Sequence, residues 1–288
     1  MANESTSSTL AGLMKTLVAD TQAEFLTLPN LMNAVYAVES DSLNVQFPVI
    51  GTEMRVAAAA AEGAGNGEGA DLANTAINID AVTATLVGYG VKAQVSALAL
   101  KGGSATSQSV GKVLAGQISN AVNDAIGDVI AAINHDTIVI SGALTMAHIS
   151  DGVGIIRDAG YHGQINACLH PKQYYDADYG LVQSLIGAAA TPSSAVGVTD
   201  EMLRNGWVNK LMGVDIYLSN KITESGSYAK GGIFAQEAIG LGYHNPIVNV
   251  RAAENPNGLG VNIIGEGYFK AVELDDAGGS VLLQSLIS

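Results

Sequence analysis

The strongest constraint in this sequence is a stripe of apolar residues, Val110, Leu114, Ile118, Val122, Ile126, Val129 and Ile133, recurring at spacings of four and three. That spacing keeps all seven on one side of an α-helix. The segment Thr106 to His135 is therefore predicted to be a helix about 45 Å long. Its other faces carry Ser107, Gln108, Lys112, Gln117, Asn120, Asn123, Asp124 and Asp128. Faces of that kind meet water or a polar neighbour, which excludes a membrane span.

Ahead of the helix the period changes to two. Leu43, Val45, Phe47 and Val49 alternate with Asn44, Gln46 and Pro48, the pattern of a half-buried strand in which Pro48 implies an edge position or a bulge. Beyond Arg55 comes AAAAAEGAGNGEGA, whose four glycines from Gly63 to Gly69 make a tip with no conformational preference of its own. A second alternation then places Ile77, Ile79, Ala81, Thr83, Thr85, Val87, Tyr89, Val91, Ala93 and Val95 on one face. Asn78, Asp80, Lys92, Gln94 and Ser96 lie on the other. Two extended arms around a glycine tip form a hairpin, and a two-stranded hairpin alone is marginally stable in water. Its support is a second copy of the chain or, if the arms are ordinary strands with a loop between them, the rest of one sheet.

A length of 288 residues fits one large unit or a main body with an appendage. With 34 glycines, 14% charged residues and a net charge of −14, the exterior carries little charge, as when surfaces are largely subunit interfaces. The 13 Lys and Arg are spread singly from Lys15 to Lys270, so there is no basic run to neutralise phosphates, which argues against tight nucleic-acid binding. Cys168 is the single cysteine; it forms no internal disulfide and fits a reducing cytoplasm. MANESTSSTL lacks the basic start and apolar core of a secretory signal, so the glycosylation pattern Asn3-Glu4-Ser5 has no context in which to act. The first forty residues read as an arm, with apolar residues frequent from Leu10 to Leu31 and any helix interrupted at Leu28-Pro29-Asn30.

In the second half, Met146, Ile149, Val153 and Ile156 have helical spacing before Gly163. Ile165, Ala167 and Leu169 alternate as a strand, and Pro171 opens a helix through Tyr174 and Tyr175. Gly187 to Val198 reads as a loop, Thr199 as an N-cap for a helix with Met202 and Leu203, and Val214, Ile216 and Leu218 as a further strand. Mixed elements in this order indicate an α+β domain.

No chemical motif is complete. The tip GAGNGEG has neither the Lys-Ser/Thr ending of a phosphate loop nor the spacing of a dinucleotide site, because Glu68 stands at the final glycine's place. Cys168 and His170 share a strand face but have no further Cys or clustered His to complete a metal or thiolate site, and read as a buried thiol beside a partly exposed imidazole. Asp176 and Asp178 begin like a calcium loop without its glycine or distal glutamate, and read as solvated turn residues. Neither a G-x-S-x-G elbow nor an H-E-x-x-H helix occurs.

An N-terminal arm, a long hairpin, the phrase VKAQVSALALKGGS and then a long amphipathic helix resemble, in that order, the major capsid proteins of tailed bacteriophages, whose fold is the Hong Kong 97-like fold. MGVDIYLSNKI, GGIFAQEAIGLGY and VNVRAAENPNGLGVNIIGEGYFKAVEL continue the resemblance. It implies an α+β chain with an N-terminal arm over 1–42 and an extended loop with peripheral strands over 43–101, its tip at about 60–75. A spine helix over 102–136, an axial domain over 137–246 and a return to the peripheral domain over 247–288 would follow.

The function implied is that of a subunit of an icosahedral virion shell, assembled in the host cytoplasm as hexamers and pentamers around double-stranded DNA, with no catalytic, cofactor or metal site. Its partners would be further copies of itself, a separate scaffolding protein, a portal protein and a possible decoration protein, with only weak nonspecific contact to packaged DNA and no membrane. Glu62, Glu68 and Asp71 near the tip are expected to meet basic residues of a neighbour, with Arg251 and Lys270 as candidates. Some members crosslink through a lysine in the extended loop; here no lysine lies between Arg55 and Lys92, so a noncovalent shell is expected. An encapsulin-like compartment, another phage structural subunit or an α/β enzyme are the alternatives.

Overall fold

The computed structural model describes residues 16–25, 31–50, 79–96, 107–188, 210–254, 260–274 and 278–288. A helical segment, 16–25, is α1, and the predicted long helix runs Ser107–Ala132 as α2. Leu114, Ile118, Val122, Ile126 and Ile130 are fully buried along it, so Ile130 takes the place expected for Val129. The buried face is also broader than the stripe. Asn123, expected among the polar residues facing water, is buried, and its Oδ1 accepts a hydrogen bond from the Leu31 N–H at 2.8 Å. Chain crosses α2 closely at two glycines: a β-carbon on Gly111 would lie 3.1 Å from Thr21 Oγ1, and one on Gly127 would lie 2.7 Å from the Lys221 carbonyl oxygen.

One sheet contains β1 (Tyr36–Glu39), β4 (Val87–Ser96), β11 (Ile239–Tyr243), β12 (Asn249–Glu254) and β13 (Gly260–Glu273). β13 is its centre. β4 pairs along Gly260 to Phe269, β12 along Val261 to Glu266, and β11 along Phe269 to Glu273, all antiparallel; β1 adds to β11 in parallel. Residues 244–248 stand opposite only 267–268 in this register, so the chain bows out between β11 and β12. Gly267 accommodates that bow, since a β-carbon there would lie 2.5 Å from the Ile247 carbonyl oxygen.

A second sheet runs β5 (Thr137–Ile140), β14 (Ser280–Leu286), β10 (Tyr228–Ala235), β6 (Ile165–Leu169), β8 (Val214–Leu218) and β7 (Lys210–Leu211), with the short β9 (Glu224–Ser225) also on β10. β6 lies between β10 and β8 and is buried at every residue, where alternation predicted a half-buried strand; covering on both faces leaves no solvent side. Among the described residues, three helices belong to this half: α3 (Met146–Asp158), α4 (Pro171–Tyr175) and α5 (Leu181–Ala188). The helix expected after Thr199 lies outside the described residues.

Glycines let α2 serve both sheets. Leu114 and Ile118 lie over Gly265 and Gly267 of β13, and Ile130 reaches Gly232 of β10, with Cγ2 2.7 Å from where a β-carbon would stand. One main core therefore runs from Leu17 on α1 through α2 to Leu283 on β14. The boundary expected at 246 is crossed in both directions. β11, from the presumed axial segment, pairs in the first sheet, and β14, from the presumed return, sits between β5 and β10 of the second.

β2 (Asn44–Ile50) and β3 (Ile79–Thr85) form the antiparallel ribbon expected of the hairpin arms, with Asn44 opposite Thr85 and Ile50 opposite Ile79. The second alternation does not keep one face throughout. Val82 and Ala84 of β3 and Leu86 just beyond it turn inward, whereas Tyr89, Val91 and Ala93 do so in β4. The switch falls at Leu86, whose N–H bonds the Leu43 carbonyl at 2.8 Å as the chain passes from the ribbon to the first sheet.

Candidate assembly surface

α2 covers one face of the first sheet, and the root of the ribbon covers part of the other. Gly240 and Gly242 of β11 point to this outer face, because they pair with Val272 and Lys270. A β-carbon on Gly240 would lie 2.9 Å from Phe47 Cε1, and one on Gly242 would lie 2.8 Å from Val45 Cγ2. Val45, Phe47, Ala84, Leu86 and Leu274 make a small second core here, with Val38, Val82 and Val272 at its margin. Tyr36 meets Phe47 edge to face at 6.2 Å between ring centres. This core fixes where the ribbon leaves the sheet.

Among the described residues, nothing covers the rest of the outer face. Arg251, Ile264 and Lys92 stand in one cross-strand row of β12, β13 and β4, and Tyr268 and Lys270 follow along β13. Arg251 pairs with Glu266 at 3.2 Å while remaining 64% exposed, and Lys270 is exposed. Gly88 lies under the Tyr268 ring, whose Cε1 is 3.0 Å from where a β-carbon would stand, and a β-carbon on Gly90 would meet none of the described residues within 4 Å. The surface is thus shallow, with three cations around a glycine-floored strip, in a chain of net charge −14.

Of the five contact residues expected from sequence, Arg251 and Lys270 lie on this same face but apart, Arg251 level with Ile264 and Lys270 further along β13 beside Gly242. Glu62, Glu68 and Asp71 lie outside the described residues. Lys92 was missed: only the register brings it beside Arg251. The period-two glycines Gly88-x-Gly90 and Gly240-x-Gly242 were the available signal, since glycine on alternate strand positions marks close approach or a bare floor.

The other residues considered for chemistry are tied into structure. Cys168 is fully buried, and burial pushes its thiol pKa far up, leaving it neutral. His170, expected to be partly exposed, is buried, with Nε2 3.1 Å from Glu224 Oε1. Beside it Gln173 is wholly buried, its Nε2 serving the Ala229 and Leu283 carbonyls at 3.0 and 3.2 Å and Ser285 Oγ at 2.8 Å. Asp176 is likewise no solvated turn residue. Its Oδ1 accepts from the Asp178 and Tyr179 N–H groups at 2.9 and 3.0 Å, and its Oδ2 from the N–H and Oγ of Ser288 at 2.8 and 2.6 Å. Burial alone would raise its pKa, but these four bonds hold the carboxyl well below the usual range. Among the described residues no cluster of three His, Cys, Asp or Glu could hold a metal ion, and no helix is long and apolar enough to cross a membrane.

No family model matches the sequence, and no curated protein matches it. Solved structures match at probability 1.00 and nearly full length. The capsid of cyanophage P-SCSP1u aligns with a TM-score of 0.62 at 14% identity, covering 91% of this chain and 89% of that one. A virus-like particle from Pyrococcus furiosus gives 0.58 at 12% identity, covering 94% and 98%. The chain has the Hong Kong 97-like capsid fold. A third structure with this fold, the holo-SrpI encapsulin complex of Synechococcus elongatus, aligns at 0.55 with 10% identity over 89% of this chain and 87% of that one. In the terms of the fold, α2 is the spine helix, β2 and β3 are the roots of the extended loop, and the first sheet is peripheral.

Proposed function

We propose that this chain is the major capsid subunit of a tailed bacteriophage, forming hexamers and pentamers of an icosahedral shell around double-stranded DNA. Near-complete coverage of capsid chains in both directions carries the reading, because a shared module inside an unrelated protein would leave one partner partly unmatched. Its mechanism is assembly rather than catalysis. The ribbon is anchored by Val45 and Phe47 at Gly242 and Gly240, and the open outer face offers Arg251, Lys92 and Lys270. The sequence between the ribbon arms carries Glu62, Glu68 and Asp71. Charge complementarity favours seating one subunit's extended loop on another's outer face. Each exposed ion pair contributes only about 0–1 kcal/mol, so most stabilisation comes from apolar area at roughly 25 cal/mol per Å².

A separate scaffolding protein and a portal would serve assembly in the host cytoplasm, with a decoration protein possible on the finished virion. Electron microscopy of the expressed protein tests the reading: closed shells support it, and a small discrete oligomer overturns it. The likeness to an encapsulin favours a second reading, a compartment for a protein cargo. Nucleic acid rather than a foreign protein inside shells purified from infected cells decides for the virion.

A further inference from the structure

We propose that the second sheet continues from copy to copy around each ring of subunits, the outer edge of β5 in one copy pairing with the outer edge of β7 in the next. The inference rests on the shell reading above. Among the described residues β14 alone pairs with β5, and β8 alone with β7, so these two strands end the sheet. The Asp136 carbonyl accepts from the Leu282 N–H at 2.8 Å, which turns the backbone groups of Asp136, Ile138 and Ile140 toward β14 and those of Thr137 and Val139 outward. At the other end, the two-residue turn at Met212 and Gly213 makes Leu211 and Val214 the hydrogen-bonded pair. The N–H and C=O of Lys210 therefore point away from the sheet.

Both edges are built to be covered. All four residues of β5 are β-branched, and the strand carries none of the charge or proline that keeps a sheet edge from pairing. Val139 is 61% exposed on it. Met212, 53% exposed, holds φ at 53°, a left-handed conformation that glycine and asparagine adopt more readily. Seating one edge on the other covers both side chains. Neither edge adds to the repulsion between subunits of net charge −14: residues 137–142 are uncharged, His135 lies 2.7 Å from Asp136, and Lys210 brings a cation to β7, 3.2 Å from Asp215. β5, β14, β6 and β8 run one way and β7 the other, so copies placed head to tail make an antiparallel seam. Contact between unlike edges closes into rings, whereas two β5 edges meeting across a two-fold axis make a pair and leave Met212 bare. Edges this short bury far less than the roughly 1,600 Å² of a standard interface, so the seam sets the register of a ring that other contacts also hold.

Crosslinking of assembled particles tests the seam. The full chain carrying Val139→Cys with Met212→Cys is treated with a short flexible bis-maleimide, which tolerates small differences of register; Cys168 is fully buried and offers no competing thiol. Denaturing electrophoresis should show a ladder rising to pentamers and hexamers, and each single variant should stay monomeric. Shells whose double variant stays monomeric overturn the seam, as do dimers from Val139→Cys alone or from Met212→Cys alone. Failure of the parent chain to form shells overturns the capsid reading and this inference with it. Val139→Pro removes an N–H that has no partner within the subunit, so the subunit should fold while the protein concentration needed for assembly rises about five-fold, as for loss of one hydrogen bond. An unchanged threshold in the folded variant also overturns the seam. Should Val139→Pro not fold, the crosslink decides alone.

Discussion

Phe47 lies on Gly240, its Cε1 only 2.9 Å from where a β-carbon would stand. A side chain at Gly240 displaces the ring, and with it the angle at which the ribbon leaves the peripheral sheet. Gly240→Val is expected to cost about 1–3 kcal/mol by overpacking. Thermal unfolding reads that loss. Microscopy should show folded subunits that no longer close into shells.

Ile118 is fully buried beneath Gly267, between the spine helix and β13. Ile118→Asp places an unpaired charge there and should abolish folding, whereas Ile118→Val should cost about 0.5–1.5 kcal/mol. Soluble yield and circular dichroism separate the two. Folded Ile118→Asp particles would mean that the faces of the spine helix are assigned wrongly.

Asp176 gives the fold an acid limit. Its folded pKa is depressed, so its contribution is complete above the ordinary carboxylate range and is lost as pH falls through the folded value. Denaturant titrations across acidic pH should show the parent losing stability in that window and Asp176→Asn losing less. At neutral pH Asp176→Ala should cost on the order of 1 kcal/mol, since its donors on Asp178, Tyr179 and Ser288 are exposed or half-exposed and regain water when the acceptor is lost.

Arg251 and Lys92 flank Ile264 on the open outer face. Reversing both, Arg251→Glu with Lys92→Glu, should leave the melting temperature within about 1 kcal/mol equivalent, as exposed charges do, yet weaken assembly. Light scattering against protein concentration measures the shift. An unchanged assembly threshold would remove these residues from the contact.

Subunits of net charge −14 repel one another. Added salt should therefore strengthen assembly while the Debye length falls below about 10 Å. Scattering that declines steadily with salt would contradict this. With no lysine between Arg55 and Lys92, denaturing electrophoresis of mature particles should show monomers rather than a covalent ladder.

The helix stripe was legible because Leu114 to Ile126 repeat within a single element. Asn123 and Gly127 were not, since their burial depends on Leu31 and Lys221, far away in sequence. The face switch at Leu86 was hidden for a different reason: both parities of 79–95 hold residues small or apolar enough to face inward. Phe47 and Val45 decide the matter by packing with Ala84 and Leu86. On the candidate surface, single cations could be named from sequence, but the row of Arg251, Ile264 and Lys92 exists only through strand register. His170 and Asp176 were read as exposed because short polar turns usually are; here the covering strands come from residues 224–229 and 280–288.

β14 stands between β5 and β10, pairing Leu282 with both Thr137 and Gly232. During synthesis β5 is made early, but the strand that joins it to the sheet leaves the ribosome only after residue 286. Until then β5 and β10 both present an unfilled edge, and closing the sheet waits for contacts distant in sequence, which fold slowly. The second sheet is thus completed after translation of β14, and a nascent chain cannot offer a finished surface to its neighbours before it has been made through that strand.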